Sequence, residues 1–192
     1  LFRSMDYQIK CIVLPDGDNK TTNTNKNIEN KVKDKRKVTH QKQWDFDESE
    51  LLPDKQFTYI EQIYRQNYDN VDSRMQHIYN VIERQIKTKI QGYYQQDLKK
   101  KLYDKDKFIT LPKVIDLLYS CKNTCYYCRQ NVFILYEYVR DNKQWSVERR
   151  NNDYGHNCDN VEIACLHCNI SRKTMNEERY LFTKQLNIIK QS

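Results

Sequence analysis

Two cysteine pairs, Cys125/Cys128 and Cys165/Cys168, stand 36 residues apart in this chain. Each Cys-x-x-Cys turn can point two sulfurs inward from one tight bend, so together the pairs supply the four thiolates of a tetrahedral structural zinc site. Cys121 and Cys158 lie close enough in sequence to compete as ligands, and Cys11 is remote. Disulfides are the other use for thiols. The count of seven is odd, however, and the opening residues Leu1-Phe2-Arg3-Ser4-Met5 contain no apolar leader run. The expected setting is therefore an intracellular reducing compartment, cytoplasm or nucleus, with a virion as a further setting. A thioredoxin-like redox site would need one such pair inside a βαβ context, and nothing in the chain alternates that way.

The segment between the pairs reads Trp145-Ser146-Val147-Glu148-Arg149-Arg150-Asn151-Asn152-Asp153-Tyr154-Gly155-His156, and the second pair runs straight into Asn169. Its position is set by what precedes it. Val114, Ile115, Leu118 and Tyr119 predict a helix from Thr110-Leu111-Pro112, with Thr110 as cap and proline in the first turn, delivering the chain to Cys125. Val132 to Val139 is β-branched and aromatic, Asp141-Asn142 is a turn signal, and Trp145 to Glu148 returns, which predicts a hairpin. A loop then leads to a helix beginning near Cys168. Residues Glu177 to Ile189 predict a last helix that covers this module from outside.

Further upstream, a long helix is expected through Val71, Met75, Ile78, Ile82, Ile86, Ile90 and Tyr93 to about Leu102, with Gly92 as a place to bend. A shorter helix from Phe57 carries Ile60, Ile63 and Tyr64 on one face. These stripes read as packing surface, and His77 beside them as exposed or packed. Ile12-Val13-Leu14 before Pro15-Asp16-Gly17 is a short strand or anchoring arm.

Residues 17–43 hold only Ile28, Val32 and Val38 as apolar side chains against eight Lys/Arg and three Asp/Glu, so most of the formal net charge of +7 belongs to them. Such a segment cannot bury enough surface to offset its ordering entropy. It is expected to be a solvated linker, a nucleic-acid contact or a tether to an acidic protein surface. The expected layout is an α+β chain: an N-terminal arm at 1–16, a flexible linker at 17–56, a helical region at 57–120 and a cysteine-stapled module at 121–192. No stretch approaches the roughly 20 apolar residues needed to cross a bilayer, so no membrane partner is expected.

Ser146-Val147-Glu148-Arg149-Arg150-Asn151-Asn152, Gly155-His156, Asn160-Val161 and Cys165-Leu166-His167-Cys168-Asn169 fall in the order and spacing of a known family. From about Leu111 to Lys190 the chain resembles the ββα-metal endonucleases, also called HNH-type or His-Me finger, in the zinc-stapled branch that includes recombination endonuclease VII. The resemblance implies a hairpin and helix clamping one hard divalent ion, usually Mg²⁺, for hydrolysis of DNA phosphodiester bonds. It places Glu148 and Asn169 on that ion, Glu148, Arg149, Asn151 and His156 in the catalytic set, and Arg150, Arg172 and Lys173 on the DNA backbone.

The sequence departs from the pattern where the family carries its Asp-His pair. Glu148-Arg149 stands there, and an arginine stays protonated and cannot take a proton from water. The next acidic position is Asn151. His156 is then the candidate base, with a packing role as the alternative because an aromatic residue often stands at that place in the family, while His167 is a spacer or alternative zinc ligand and Asp153 and Glu162 are substitute acids. The alternatives are a fold relative that has lost catalysis and binds nucleic acid, and a structural component of a larger assembly tethered by the basic arm and N-terminal helices.

Overall fold

The computed structural model describes residues 11–14, 36–37, 44–66 and 71–190. Among them are five helices: α1 (Pro53–Tyr64), α2 (Ser73–Lys100), α3 (Leu111–Ser120), α4 (Leu166–Arg172) and α5 (Glu177–Gln185). The strands are β1 (Cys11–Leu14), β2 (Trp145–Arg149), β3 (Val161–Cys165) and β4 (Asn187–Lys190). β2 and β3 form an antiparallel pair, and β1 and β4 a parallel one. The architecture is mixed α and β, and no helix of the described residues is long and apolar enough to cross a membrane. Most of the expected linker and its basic run, residues 17–35 and 38–43, lies outside the described residues.

The helical part begins at Pro53, earlier than Phe57, because proline at the first helical position has its φ already set for a helix. α1 buries Gln56, Tyr59, Ile60 and Ile63, one face at helical spacing. Residues 44–50, expected as linker, fold back onto α2. Phe46 is buried, Arg74 lies 5.2 Å above its ring, and the His77 ring stacks with it at 6.0 Å.

Asp72 caps α2 by accepting the Met75 amide at 2.8 Å, and Lys101 closes it in the left-handed conformation. The buried stripe Ile78, Val81, Ile82, Gln85, Ile86, Tyr93 continues to Asp97, and the helix runs unbroken through Gly92. Thr110 occupies the cap position of α3, although its hydroxyl makes no cap hydrogen bond.

Two expectations are corrected here. Val132–Val139 is not the first strand of the hairpin. The segment bends at Ile134, Leu135 and Glu137 and makes only isolated bridges, from Phe133 to Gln144 and from Tyr138 to Lys37. The amides of Ile134 and Leu135 donate instead to the Gln56 side chain, at 2.7 and 2.9 Å. The Trp145 strand pairs forward with Val161–Cys165, in the register Ser146 to Ala164 and Glu148 to Glu162. The last helix also stops at Gln185. Leu186 is extended and Asn187–Lys190 pairs with Cys11–Leu14, so the apolar run near the C-terminus is a strand.

Candidate functional site

The Sγ atoms of Cys125, Cys128, Cys165 and Cys168 all lie within 4.8 Å of one another, and Cys128 and Cys165 are 3.9 Å apart. A tetrahedral ion with metal–sulfur bonds of about 2.3 Å has sulfur–sulfur edges of about 3.8 Å, so the arrangement is compatible with a structural metal such as zinc. Three of the four thiols are buried. Hydrogen bonds from Cys165 and Cys168 hold the Cys125 thiol far below its ordinary value, while Cys125 pushes Cys165 up to about 12 and raises Cys168. Packing four thiols together opposes ionising them all, and a dication bound among them would remove that penalty.

Local chain geometry builds both bends. Arg129 takes φ of 58° after the first pair, its amide donating to Cys125 O. In the second pair Cys165 caps α4, its sulfur accepting the Cys168 amide at 3.4 Å. The Tyr126 amide donates to Ile163 O at 2.8 Å and ties the first bend to β3. Tyr180 from α5 meets Tyr127 edge-on at 4.9 Å and covers the cluster. Cys121 and Cys158 belong to no metal cluster among the described residues. Their thiols point at Leu118 O and Phe108 O. His167 is exposed and also stands outside the cluster.

The β2, β3 and α4 elements form one unit beside these sulfurs. Ser146 and Glu148, two apart on the strand, face Asn169 and Arg172, three apart on the helix, so the two periods meet on one seam. Ser146 Oγ donates to Ala164 O at 2.9 Å and accepts from Asn169 Nδ2 at 3.1 Å. Asn169 Nδ2 also donates to Val147 O at 3.2 Å. Both acceptors fix the amide orientation, which leaves Asn169 Oδ1 as a free acceptor.

Glu148 is buried, and its Oε1 accepts from Arg172 Nη1. Burial raises the Glu148 pKa, with the Arg172 guanidinium opposing that rise. Arg172 also donates to Arg149 O and Arg150 O at 2.6 and 2.7 Å. Only 2% of its side chain is exposed, so Arg172 is an interior clasp and not the surface DNA contact expected of it. Arg150 is exposed but paired with Glu177 at 3.1 Å. Asn151 shapes the following turn: its Oδ1 accepts the Asp153 amide, and Asn160 brackets its backbone. It lies away from the cavity that Glu148 lines. Glu162 is half-buried opposite Glu148 in register, and Asp153 is exposed.

A cavity of about 490 Å³ runs between this unit and α2. Glu148, Arg149, His156, Asn169 and Lys173 line one side. Lys89, Tyr93 and Lys100 line the other, from one face of α2. Lys89 Nζ donates to Gln144 Oε1 at 3.0 Å and to Trp145 O, and lies 4.6 Å above the Trp145 ring. Burial pulls its pKa down to about 7, against the oxygens and aromatic face that favour its charged form. His156 Nδ1 is 2.8 Å from Asp97 Oδ1.

Comparison with protein-family models, with curated proteins and with solved structures finds no match for this chain.

The likeness to the ββα-metal enzymes therefore rests on the motif residues themselves. The structure brings Glu148, Arg149, His156, Asn169 and Lys173 to one cavity, and leaves Arg150 and Asn151 on a neighbouring one of about 620 Å³. Sequence reasoning missed Asp97, Lys89 and Lys100. The signal was present for Asp97: it continues the buried α2 stripe four residues after Tyr93, where an acid has no reason to stand for packing alone.

Proposed function

We propose that this chain is a zinc-stapled ββα-metal endonuclease of the HNH type that hydrolyses DNA phosphodiester bonds. The observation that carries the reading is that Glu148 and Asn169 line one cavity, next to the four-sulfur cluster and together with Arg149, Lys89, Lys100 and Lys173. Cys125, Cys128, Cys165 and Cys168 hold a structural zinc ion that fixes β3, α4 and the first bend as one clamp.

The donor set fits a hard cation such as Mg²⁺, which needs few protein oxygens and completes its shell with water and phosphate. Glu148 keeps its second oxygen, Oε2, free of the Arg172 hydrogen bond, and Asn169 offers Oδ1. A divalent ion bound there supplies Lewis-acid stabilisation of the phosphoryl and leaving oxygens. The chain's own residues do the rest. Lys100 and Lys173 attract the DNA backbone, and Arg149, pinned through Nη1 to Tyr154 O at 3.1 Å, retains donors for a phosphate oxygen. His156 is the groove's acceptor for the proton of the attacking water. Burial lowers its pKa, so it is neutral at pH 7.

The test is nicking of supercoiled plasmid, branched and linear duplex DNA by the full chain with Mg²⁺. Cutting should stop in EDTA and on Glu148→Ala or Asn169→Ala while zinc stays bound; cutting that survives both substitutions removes the proposed site. One observation favours a second reading. The Glu148 carboxylate is already neutralised by Arg172, as expected for a fold relative that binds nucleic acid without cutting. That module would show steep salt dependence of DNA binding and no cleavage under any divalent ion.

A further inference from the structure

We infer that Asp97, on α2 and outside the cysteine-stapled unit, is a positioning residue for His156, so that the catalytic centre is completed by the helical part of the chain. The inference rests on the nuclease reading. Three successive turns of α2 grip the hairpin and its loop, through residues spaced four apart. Lys89 reaches Trp145 O, Tyr93 Oη accepts the Val147 amide at 2.9 Å, and Asp97 takes the Gly155-His156 loop.

Asp97 uses its two oxygens differently. Oδ2 accepts the His156 backbone amide at 2.6 Å, which by itself anchors the loop. Oδ1 meets the imidazole Nδ1 at 2.8 Å, a contact the loop does not need for its placement. A carboxylate there fixes the tautomer with hydrogen on Nδ1 and leaves the lone pair on Nε2. Tyr93 stacks on the ring at 4.4 Å and 21°, closing one face. The side chains are 1% exposed for Asp97 and 5% for His156, so the pair is rigid and largely dry. Gly155 permits the approach: a Cβ there would stand 2.7 Å from Asp97 Oδ2 and collide with Leu102 O.

The groups around His156 act in opposite senses. Burial, Arg149 from β2 and Lys100 from α2 keep the imidazole neutral, while Asp97 stabilises the imidazolium once it forms. In the step inferred, Nε2 takes a proton from water as the water oxygen bonds to phosphorus. The bond from phosphorus to the leaving ester oxygen breaks, its electron pair stays on that oxygen, and a solvent proton neutralises it. The imidazolium then returns its proton to solvent. This is the orienting role a carboxylate plays beside a histidine base wherever that pair occurs.

The experiment uses the full zinc-loaded chain, wild type and the variants Asp97→Asn, His156→Gln and Glu148→Ala. Nitrogen NMR of the imidazole reads the tautomer without requiring activity, and plasmid nicking in Mg²⁺ across pH reads the base. Expected are hydrogen on Nδ1 in the wild type and an acid limb below the ordinary histidine pKa. Asp97→Asn should lower kcat by roughly 100- to 10,000-fold with little change in KM. A wild-type imidazole with hydrogen on Nε2 overturns the inference even if Asp97→Asn fails to fold. Glu148→Ala abolishing cutting while Asp97→Asn and His156→Gln cut like wild type overturns it and leaves the nuclease reading standing. A wild-type chain that nicks no DNA overturns both.

Discussion

Replacing Arg172 by methionine keeps an unbranched apolar stem and removes the guanidinium with its charge, and its consequence follows from what Arg172 touches. The guanidinium is the counter-charge of buried Glu148 and the donor to Arg149 O and Arg150 O. Its removal leaves a carboxylate with 7% of its side chain exposed and no partner, together with two carbonyls that lose a charged donor. Breaking a buried pair in this way costs about 3–5 kcal/mol. At about 2–4 °C per kcal/mol for a chain of this size, the melting temperature should fall by about 6–20 °C. Burial already raises the Glu148 pKa with Arg172 in place, and removing Arg172 raises it further. A carboxyl whose folded pKa lies above its unfolded value loses stability as pH rises from the unfolded value through the folded one. The penalty of R172M should therefore be full at neutral pH and shrink towards the ordinary carboxylate range, where Glu148 takes a proton. Urea unfolding of variant and wild type at both pH values measures the difference, and Glu148→Gln added to R172M should recover part of it. A loss below about 1 kcal/mol, typical of an exposed pair, or one independent of pH, would refute the reasoning.

Metal analysis of the purified chain should find one zinc per molecule. Cys125→Ser should lose zinc and melt earlier, whereas Cys121→Ser and Cys158→Ser should keep it; zinc lost from either of the latter contradicts the four-sulfur assignment. Gly155→Ala should destabilise by about 1–3 kcal/mol in thermal or urea melts, because its methyl group meets Leu102 O and Asp97 Oδ2, and a neutral result would mean the loop shifts freely. Gln56→Leu should cost about 2–5 kcal/mol by urea unfolding, since the Ile134 and Leu135 amides would be left buried without acceptors; a near-zero effect would show that both find other partners.

Legibility in the sequence tracked how local each determinant is. The cysteine ligand set follows from two short spacings, and the α2 stripe from helical periodicity, so both are readable without tertiary information. The hairpin partner was not, because Val132–Val139 has strand composition while its amides are claimed by Gln56, 78 and 79 residues away. Val161–Cys165 carried a weaker signal, a five-residue run buried throughout except at half-buried Glu162, and was overshadowed by its more hydrophobic neighbour. The charge of Arg172 suggested a surface role. Only the meeting of a strand face with a helix face reveals that it clasps Glu148 instead. Asp97 sits on a stripe whose other members are packing residues, and its partner is 59 positions away.

The central claim is one hard-cation site at Glu148 and Asn169 beside a separate zinc site. Anomalous diffraction from crystals of the full chain grown with DNA and Mn²⁺, a scatterer that substitutes for Mg²⁺, tests it most directly. Data at the zinc and manganese edges should give a zinc peak among the four sulfurs and a distinct manganese peak bonded to Glu148 Oε2, Asn169 Oδ1 and a phosphate oxygen. Manganese found elsewhere, or a cavity in which Arg172 still holds Glu148 and no cation binds with DNA in place, would contradict the account.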